Sequence, residues 1–166
     1  TVLTNHNIDQ EDLRKEITQN LQASDKLFSH RRSDSELHRF NANLSVNPIS
    51  IHPELFDLFR HAQWMHQQSE GAFDPTIAPI VNLWYLNPDR IPHSSIPTDR
   101  QIDETLKLTG IENLTLLSKG RVQKKIHRLQ IDFSGSAKGE IVDQLCELLI
   151  RCLLYTSPSP RDQEAS

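Results

Sequence analysis

Ile131-Asp132-Phe133-Ser134-Gly135-Ser136-Ala137-Lys138-Gly139-Glu140-Ile141-Val142-Asp143 reads as the end of a strand, a tight turn of small residues and the start of a helix. Leu129, Ile131 and Phe133 alternate with polar neighbours, the period of a half-buried strand. Ile141, Val142, Leu145, Leu148 and Leu149 then recur at helical spacing. Four of the six residues from Ser134 to Gly139 are Gly or Ser, so backbone N–H groups there can approach a ligand closely. A helix N-terminus has unpaired N–H donors and a partial positive charge, to which Lys138 adds a full one. That chemistry suits the phosphates of a nucleotide. The alternative is a strand-to-helix connection whose small residues serve only packing. The stretch lacks the Gly-Lys-Ser/Thr ending of a P-loop, and no Gly-x-Gly-x-x-Gly occurs.

Upstream of this stretch, Leu114 to Leu117, a turn at Ser118-Lys119-Gly120, and Arg121 to Lys125 predict a hairpin feeding the strand. Thr98-x-x-Gln101 is a capping box for a helix lined by Ile102 and Leu106 and ended by Gly110. Asn87 to Pro97 is a proline-bearing loop, a linker or a lid. Gly71-Ala72-Phe73-Asp74-Pro75-Thr76 holds Asp74 extended before a turn. Asp74 and Thr76 then serve either a ligand hydroxyl or metal shell, or an Asx-type turn in which Asp74 bonds its own backbone. An apolar segment to Trp84 follows, and Trp84-Tyr85 is core or a stacking pair.

Pro53 opens a helix marked by Leu55, Phe56, Phe59 and Ala62 and stopped by Gly71. Val46 to Ile51 predicts a short edge strand. In His30-Arg31-Arg32-Ser33-Asp34-Ser35-Glu36-Leu37-His38-Arg39-Phe40-Asn41, Ser33 or Asp34 caps a short helix, and Glu36 is spaced to close a capping box with Ser33. This segment is a polar loop beside a ligand, with Asn41 as a base-edge partner, or a capped turn with solvated charges. The first helix has Asp9 as its cap and Leu13, Ile17, Leu21 and Phe28 on one face. Helices mixed with short strands and hairpins make the fold class α+β.

A chain of 166 residues is one domain or part of a larger one. Its net charge of −4 argues against a dedicated nucleic-acid binder, which carries a basic stripe. Cys146 and Cys152 make neither a disulfide framework nor a zinc signature. His61 and His66 point about 140° apart around one helix, poorly placed as a metal pair. No apolar run approaches a transmembrane span, and no signal peptide opens the chain. Without an initiator Met, the chain is expected to start inside a longer protein. After Arg151 the character changes abruptly. Leu153-Leu154-Tyr155-Thr156-Ser157-Pro158-Ser159-Pro160-Arg161-Asp162 resembles a translated sequencing-adaptor remnant, the alternative being a disordered Ser/Pro tail. Residues 1–150 are therefore expected to be native and 151–166 not.

Four stretches in order resemble the FAD:protein FMN transferase family, the ApbE-type flavin transferases. They are Ser33 to Asn41, similar to the family's DSELxxFN; Gly71 to Thr76 with Pro79, Val81, Leu83 and Trp84; the helix Thr98 to Gly110; and Ile131-Asp132 through Ala137-Lys138-Gly139 to Val142-Asp143. The resemblance implies the N-terminal and middle part of that family's α+β domain. It implies magnesium-dependent transfer of FMN from FAD to a Thr or Ser hydroxyl of a target flavoprotein, with release of AMP. Carried over residue by residue, it makes Ala137 a magnesium ligand through its carbonyl and puts Lys138 on FAD phosphate. Asp74, Thr76 and Asp143 would contact FAD or order its pocket, and Glu36 and Asn41 would lie near the adenine end. It further implies an enzyme outside the cytoplasmic membrane, periplasmic or on the membrane's outer face and held by an N-terminal lipid anchor.

Ser134-Gly135-Ser136 and Glu140 depart from the family's pattern. The family's other magnesium ligands, an Asp and a Thr, belong to a later motif absent here. The chain alone is therefore expected to bind flavin weakly and to transfer nothing. A non-catalytic flavin- or nucleotide-binding module and an unrelated structural domain are the competing readings.

Overall fold

The computed structural model describes residues 3–4, 10–84, 96–151 and 154–155. The expected cap at Asp9, Tyr85, most of the proline-bearing loop and nearly all of the tail lie outside the described residues. The chain divides into two compact units, residues 1–23 with 139–166, and residues 24–138. Among the described residues it is α+β, as expected, with six α-helices and short antiparallel strands.

The first unit holds most of α1 (Gln10–Phe28) and the body of α6 (Ala137–Arg151). Leu3–Thr4 (β1) pairs antiparallel with Leu154–Tyr155 (β5), so two residues of the segment expected to be foreign take part in a ladder.

The second unit is built on α3 (Pro53–Gln68). His52 caps it, Pro53 supplies its first turn, and Leu55, Leu58, Phe59 and Ala62 form one buried stripe at helical spacing. Glu70 and Gly71 end it with positive φ of 53° and 88°, and the Gly71 N–H returns to the His66 carbonyl at 2.9 Å. Phe59 stands edge-on between Phe40 and Phe133, each ring centroid 5.1 Å away, and this triad is the centre of the core.

A three-stranded sheet lies in the same unit, in the order β2 (Ile49–Ser50), β4 (Arg121–Lys124), β3 (Leu114–Leu117). The expected hairpin is β3–β4, turned by Lys119 and Gly120 at φ 62° and 64°. The expected edge strand is β2, two residues long. Thr98 and Gln101 form the predicted capping box at the start of α5 (Asp99–Leu106). That helix ends before Gly110, which takes φ 102° and opens the approach to β3.

Two local expectations are corrected. First, α2 (Glu36–Ala42) is capped by Ser35, not Ser33 or Asp34. The Ser35 hydroxyl accepts from the His38 N–H and donates to the Ser29 carbonyl, which buries it as a two-sided brace. Glu36 is thus the first helical residue, and its carboxylate instead accepts from the His52 N–H at 2.7 Å.

Second, residues 129–133 are extended but form no strand. Leu129, Ile131 and Phe133 are buried alternately, as the period-two pattern requires. Among the described residues no strand pairs with them, and other groups take part of their backbone. The Asn41 carboxamide accepts from the Ile131 N–H and donates to the Ile131 carbonyl, both at 2.8 Å. The Asp132 N–H donates to the Pro75 carbonyl at 2.7 Å. A side chain and a loop thereby satisfy a segment that would otherwise need a ladder.

Candidate functional site

The second unit contains a cleft of about 240 Å³. One wall is α4 (Ala78–Leu83), whose Ala78, Val81 and Asn82 share a face at i, i+3 and i+4. The other wall carries His30, Arg31, Asp132 and Ser134. The lining is apolar on part of the helix side and rich in hydrogen-bonding groups opposite, as a site for a flat, partly polar ligand requires.

Asp132 is the hub of the polar wall. Its Oδ1 accepts from the Ser134 N–H at 2.8 Å and from the Ser134 hydroxyl at 2.5 Å. His30 Nδ1 stands 3.4 Å from the same oxygen. The Arg31 Nε–H donates to His30 Nε2 at 3.3 Å, which puts the imidazole proton on Nδ1, facing Asp132. His30 is itself steadied by His38, whose Nδ1–H donates to the His30 carbonyl at 3.1 Å. Behind it, Arg32 pairs with Asp34 through two hydrogen bonds of 2.8 and 2.7 Å and with Asp25 at 2.9 Å. The Arg32 guanidinium holds the Asp34 carboxyl down at about 2.

Past Ser134 the chain turns tightly. The Phe133 carbonyl accepts from the Ser136 N–H at 2.9 Å and the Ala137 N–H at 2.8 Å, and α6 begins. The Ser136 hydroxyl is buried and has no partner among the described residues. A side chain placed on Gly139 would meet nothing within 4 Å, so space is open beside the first turn of the helix.

The model of the ApbE family matches residues 1–152. The chain belongs to the ApbE family. The reading of the turn as part of an unrelated structural domain is thereby set aside. An FAD:protein FMN transferase of Vibrio cholerae is 35% identical over 141 residues, covering 85% of this chain and 42% of that protein. One of Escherichia coli K12 is 32% identical, covering 83% and 40%. Among solved structures, the flavin transferase ApbE of Vibrio cholerae superposes with a TM-score of 0.84 at 33% identity, over 89% of this chain and 47% of that one. The apo flavinyl transferase ApbE of Pseudomonas stutzeri gives 0.83 at 29% identity, over 92% and 48%. The chain spans about two fifths of the length of the curated relatives it matches.

Within this ApbE domain, none of the seven residues carried over from the resemblance lines the cleft. Asn41 and Asp74 stand behind it. Asn41 holds Ile131, and the Asp74 carboxylate accepts from the Thr76 N–H at 2.8 Å and the Thr76 hydroxyl at 2.6 Å. Thr76 is fully buried, and its hydroxyl oxygen accepts from the Gly110 N–H at 2.6 Å. This is the Asx-type turn weighed as the alternative. Glu36 ties α2 to the start of α3. Ala137 is buried at the first position of α6, and Lys138 beside it is exposed. Asp143 is exposed in the other unit.

Of the cleft residues, the sequence reading places Ser134 in a phosphate-holding turn and the His30-Arg31 loop beside a ligand, and gives Asp132, Ala78, Val81 and Asn82 no individual role. Asp132 carried the missed signal. An Asp two residues before a Ser is the same Asx pattern as Asp74-Pro75-Thr76, repeated at the strand end.

Proposed function

We propose that this chain is the flavin-binding part of an FAD:protein FMN transferase. The observation that carries the reading is the cleft built on Asp132 and Ser134, inside the last of the four family-like stretches. Asp132 is an acceptor for ligand hydroxyls, the Ser134 hydroxyl oxygen, whose proton goes to Asp132, is a second acceptor, and the Arg31 guanidinium supplies positive charge for phosphate. Ala78 and Val81 offer an apolar surface to a ring. The first N–H groups of α6 and the exposed Lys138 suit a pyrophosphate by their charge. Asp74, Thr76, Asn41 and Glu36 act behind the cleft as its frame. Asp143 is the least supported of the carried-over residues, since it is exposed and no hydrogen bond or ion pair holds it among the described residues.

In the proposed reaction the hydroxyl oxygen of a Thr or Ser on a target flavoprotein attacks the FMN phosphorus. The new phosphoester forms as the pyrophosphate bond breaks. AMP leaves, and the hydroxyl proton passes to solvent. The role of this chain's residues is to bind and orient FAD. Magnesium, expected from the resemblance, would neutralise phosphate oxygens. The described residues do not make a cage for it: no group of three or more His, Cys, Asp or Glu among them could hold a metal ion. The Ala137 carbonyl enters the ladder of α6 and has one lone pair left to offer. The competing reading is a non-catalytic flavin- or nucleotide-binding module.

No helix among the described residues is long and apolar enough to cross a membrane. The proposed location, outside the cytoplasmic membrane through an N-terminal lipid anchor, rests on the resemblance alone.

The test is FAD titration followed by flavin fluorescence, with FMN transfer to a Thr-bearing acceptor read by mass. The expected result is weak, saturable FAD binding by this chain and no transfer. Transfer in a longer chain carrying the same first 150 residues supports the transferase over the module. Absence of FAD binding in both chains overturns both readings.

A further inference from the structure

Lys124 is the last residue of β4, and its side chain is fully buried. Among the described residues it forms no ion pair. Its ammonium instead donates to three carbonyls at the end of α2: Phe40 at 2.7 Å, Asn43 at 2.9 Å and, more weakly, Asn41 at 3.4 Å. It also lies 4.6 Å from the centre of the Phe40 ring. Burying a lone ammonium is costly. Here the cost is offset by the helix end, where carbonyls lack intrahelical donors and carry partial negative charge. The side chain is thus a clamp on the last turn of α2.

That turn carries Asn41, the residue whose carboxamide holds both backbone groups of Ile131 at 2.8 Å. Ile131 is followed by Asp132, the hub of the cleft. We propose that Lys124 is a positioning residue for the cleft, fixing the end of α2 so that Asn41 holds Ile131 and sets the Asp132–Ser134 turn. The link to flavin binding rests on the functional reading above; the link from Lys124 to Ile131 does not.

Two readouts separate these links. The first is amide hydrogen exchange at Ile131, whose N–H donates to Asn41. In Lys124→Met, which removes the charge and keeps the stem, exchange there is expected to quicken by about tenfold beyond the global change in stability. The second is FAD affinity, expected to fall by about threefold to tenfold in Lys124→Met. Combining it with Asn41→Ala should add nothing further, because both act on one contact. Unchanged Ile131 exchange in folded Lys124→Met overturns the proposal, as do strictly additive losses in the double variant. Should Lys124→Met fail to fold, Lys124→Gln keeps two donors on a shorter stem, and wild-type exchange at Ile131 in that variant overturns it equally. A wild type that binds no FAD overturns the functional reading and leaves the exchange result to decide on Lys124.

Discussion

Asp74-Pro75-Thr76 and Asp132-Phe133-Ser134 are the same turn built twice. In each, one carboxylate oxygen accepts from the N–H and the hydroxyl of the residue two places on, at 2.8 and 2.6 Å in the first and 2.8 and 2.5 Å in the second. The two even touch, through the Asp132 N–H on the Pro75 carbonyl. Their surroundings differ. Thr76 is fully buried and has a third partner in Gly110, whereas Ser134 is exposed and opens onto the cleft beside His30. The local motif therefore does not say whether an aspartate is frame or site. Burial and the number of partners already taken decide it.

The comparison can be broken most forcefully at Thr76. Thr76→Val leaves the Gly110 N–H and the Asp74 carboxylate short of a partner, and should destabilise the fold by about 2 kcal/mol in urea unfolding. A loss close to zero would mean that the first turn is not frame. At the second turn, Asp132→Asn should leave unfolding nearly unchanged and weaken FAD by about tenfold, since an amide accepts less strongly than a carboxylate. Equal FAD affinity in the variant would remove Asp132 from the site.

The support behind Asp132 has its own pH signature. Burial lowers the Lys124 ammonium to about 8, below its ordinary 10.5. Because the folded pKa is the lower one, the unfolded chain holds the proton more firmly between the two values. This group's contribution to stability therefore rises as pH climbs from about 8 toward 10.5. The carbonyls that favour the charged form offset part of this, so unfolding of wild type against Lys124→Met should diverge by about 1 kcal/mol across that window. Parallel curves would show that the ammonium feels no burial.

The smallest expected effect lies in the loop that carries His30. The Arg32–Asp34 pair is solvent-facing, and the depressed Asp34 contributes stability above the usual carboxylate range that is lost as pH falls toward about 2. Arg32→Gln should flatten that acid limb slightly, and salt should do the same to wild type. A large effect at neutral pH would make the pair part of the site instead of its border.

Much of the fold was legible because its signals are local. Pro53, the Thr98–Gln101 box and Ser118-Lys119-Gly120 each act over a few residues, and each element begins or turns where the residues say. The α+β class followed from the mix of helices, short strands and a hairpin, and the family from four ordered stretches. What escaped was what the chain joins across distance. Asn41 and Ile131 are 90 positions apart, and no spacing rule links a carboxamide to a particular peptide group. The missing strand at 129–133 has the same origin, since alternation reports which side chains are buried and is silent on what the backbone bonds to. Lys124 left one trace. It follows Val122 at the period of the buried face of β4, where a lysine is out of place unless something receives its charge.

The carboxamide on Ile131 has a consequence for how the chain behaves when it is not folded. A neighbouring strand offers a ladder that can be extended; the Asn41 amide spends one N–H and one lone pair on Ile131 and presents no repeating backbone edge. Leu129-Gln130-Ile131-Asp132-Phe133 is apolar on alternate positions, and in the fold its backbone is held by Asn41 of α2 and by the Pro75 carbonyl. Before α2 forms, during synthesis or after heating, the same five residues present an open edge to any extended segment nearby. Asp132 is then the one charge within these five residues, and a charge is what interrupts an aggregation-prone run.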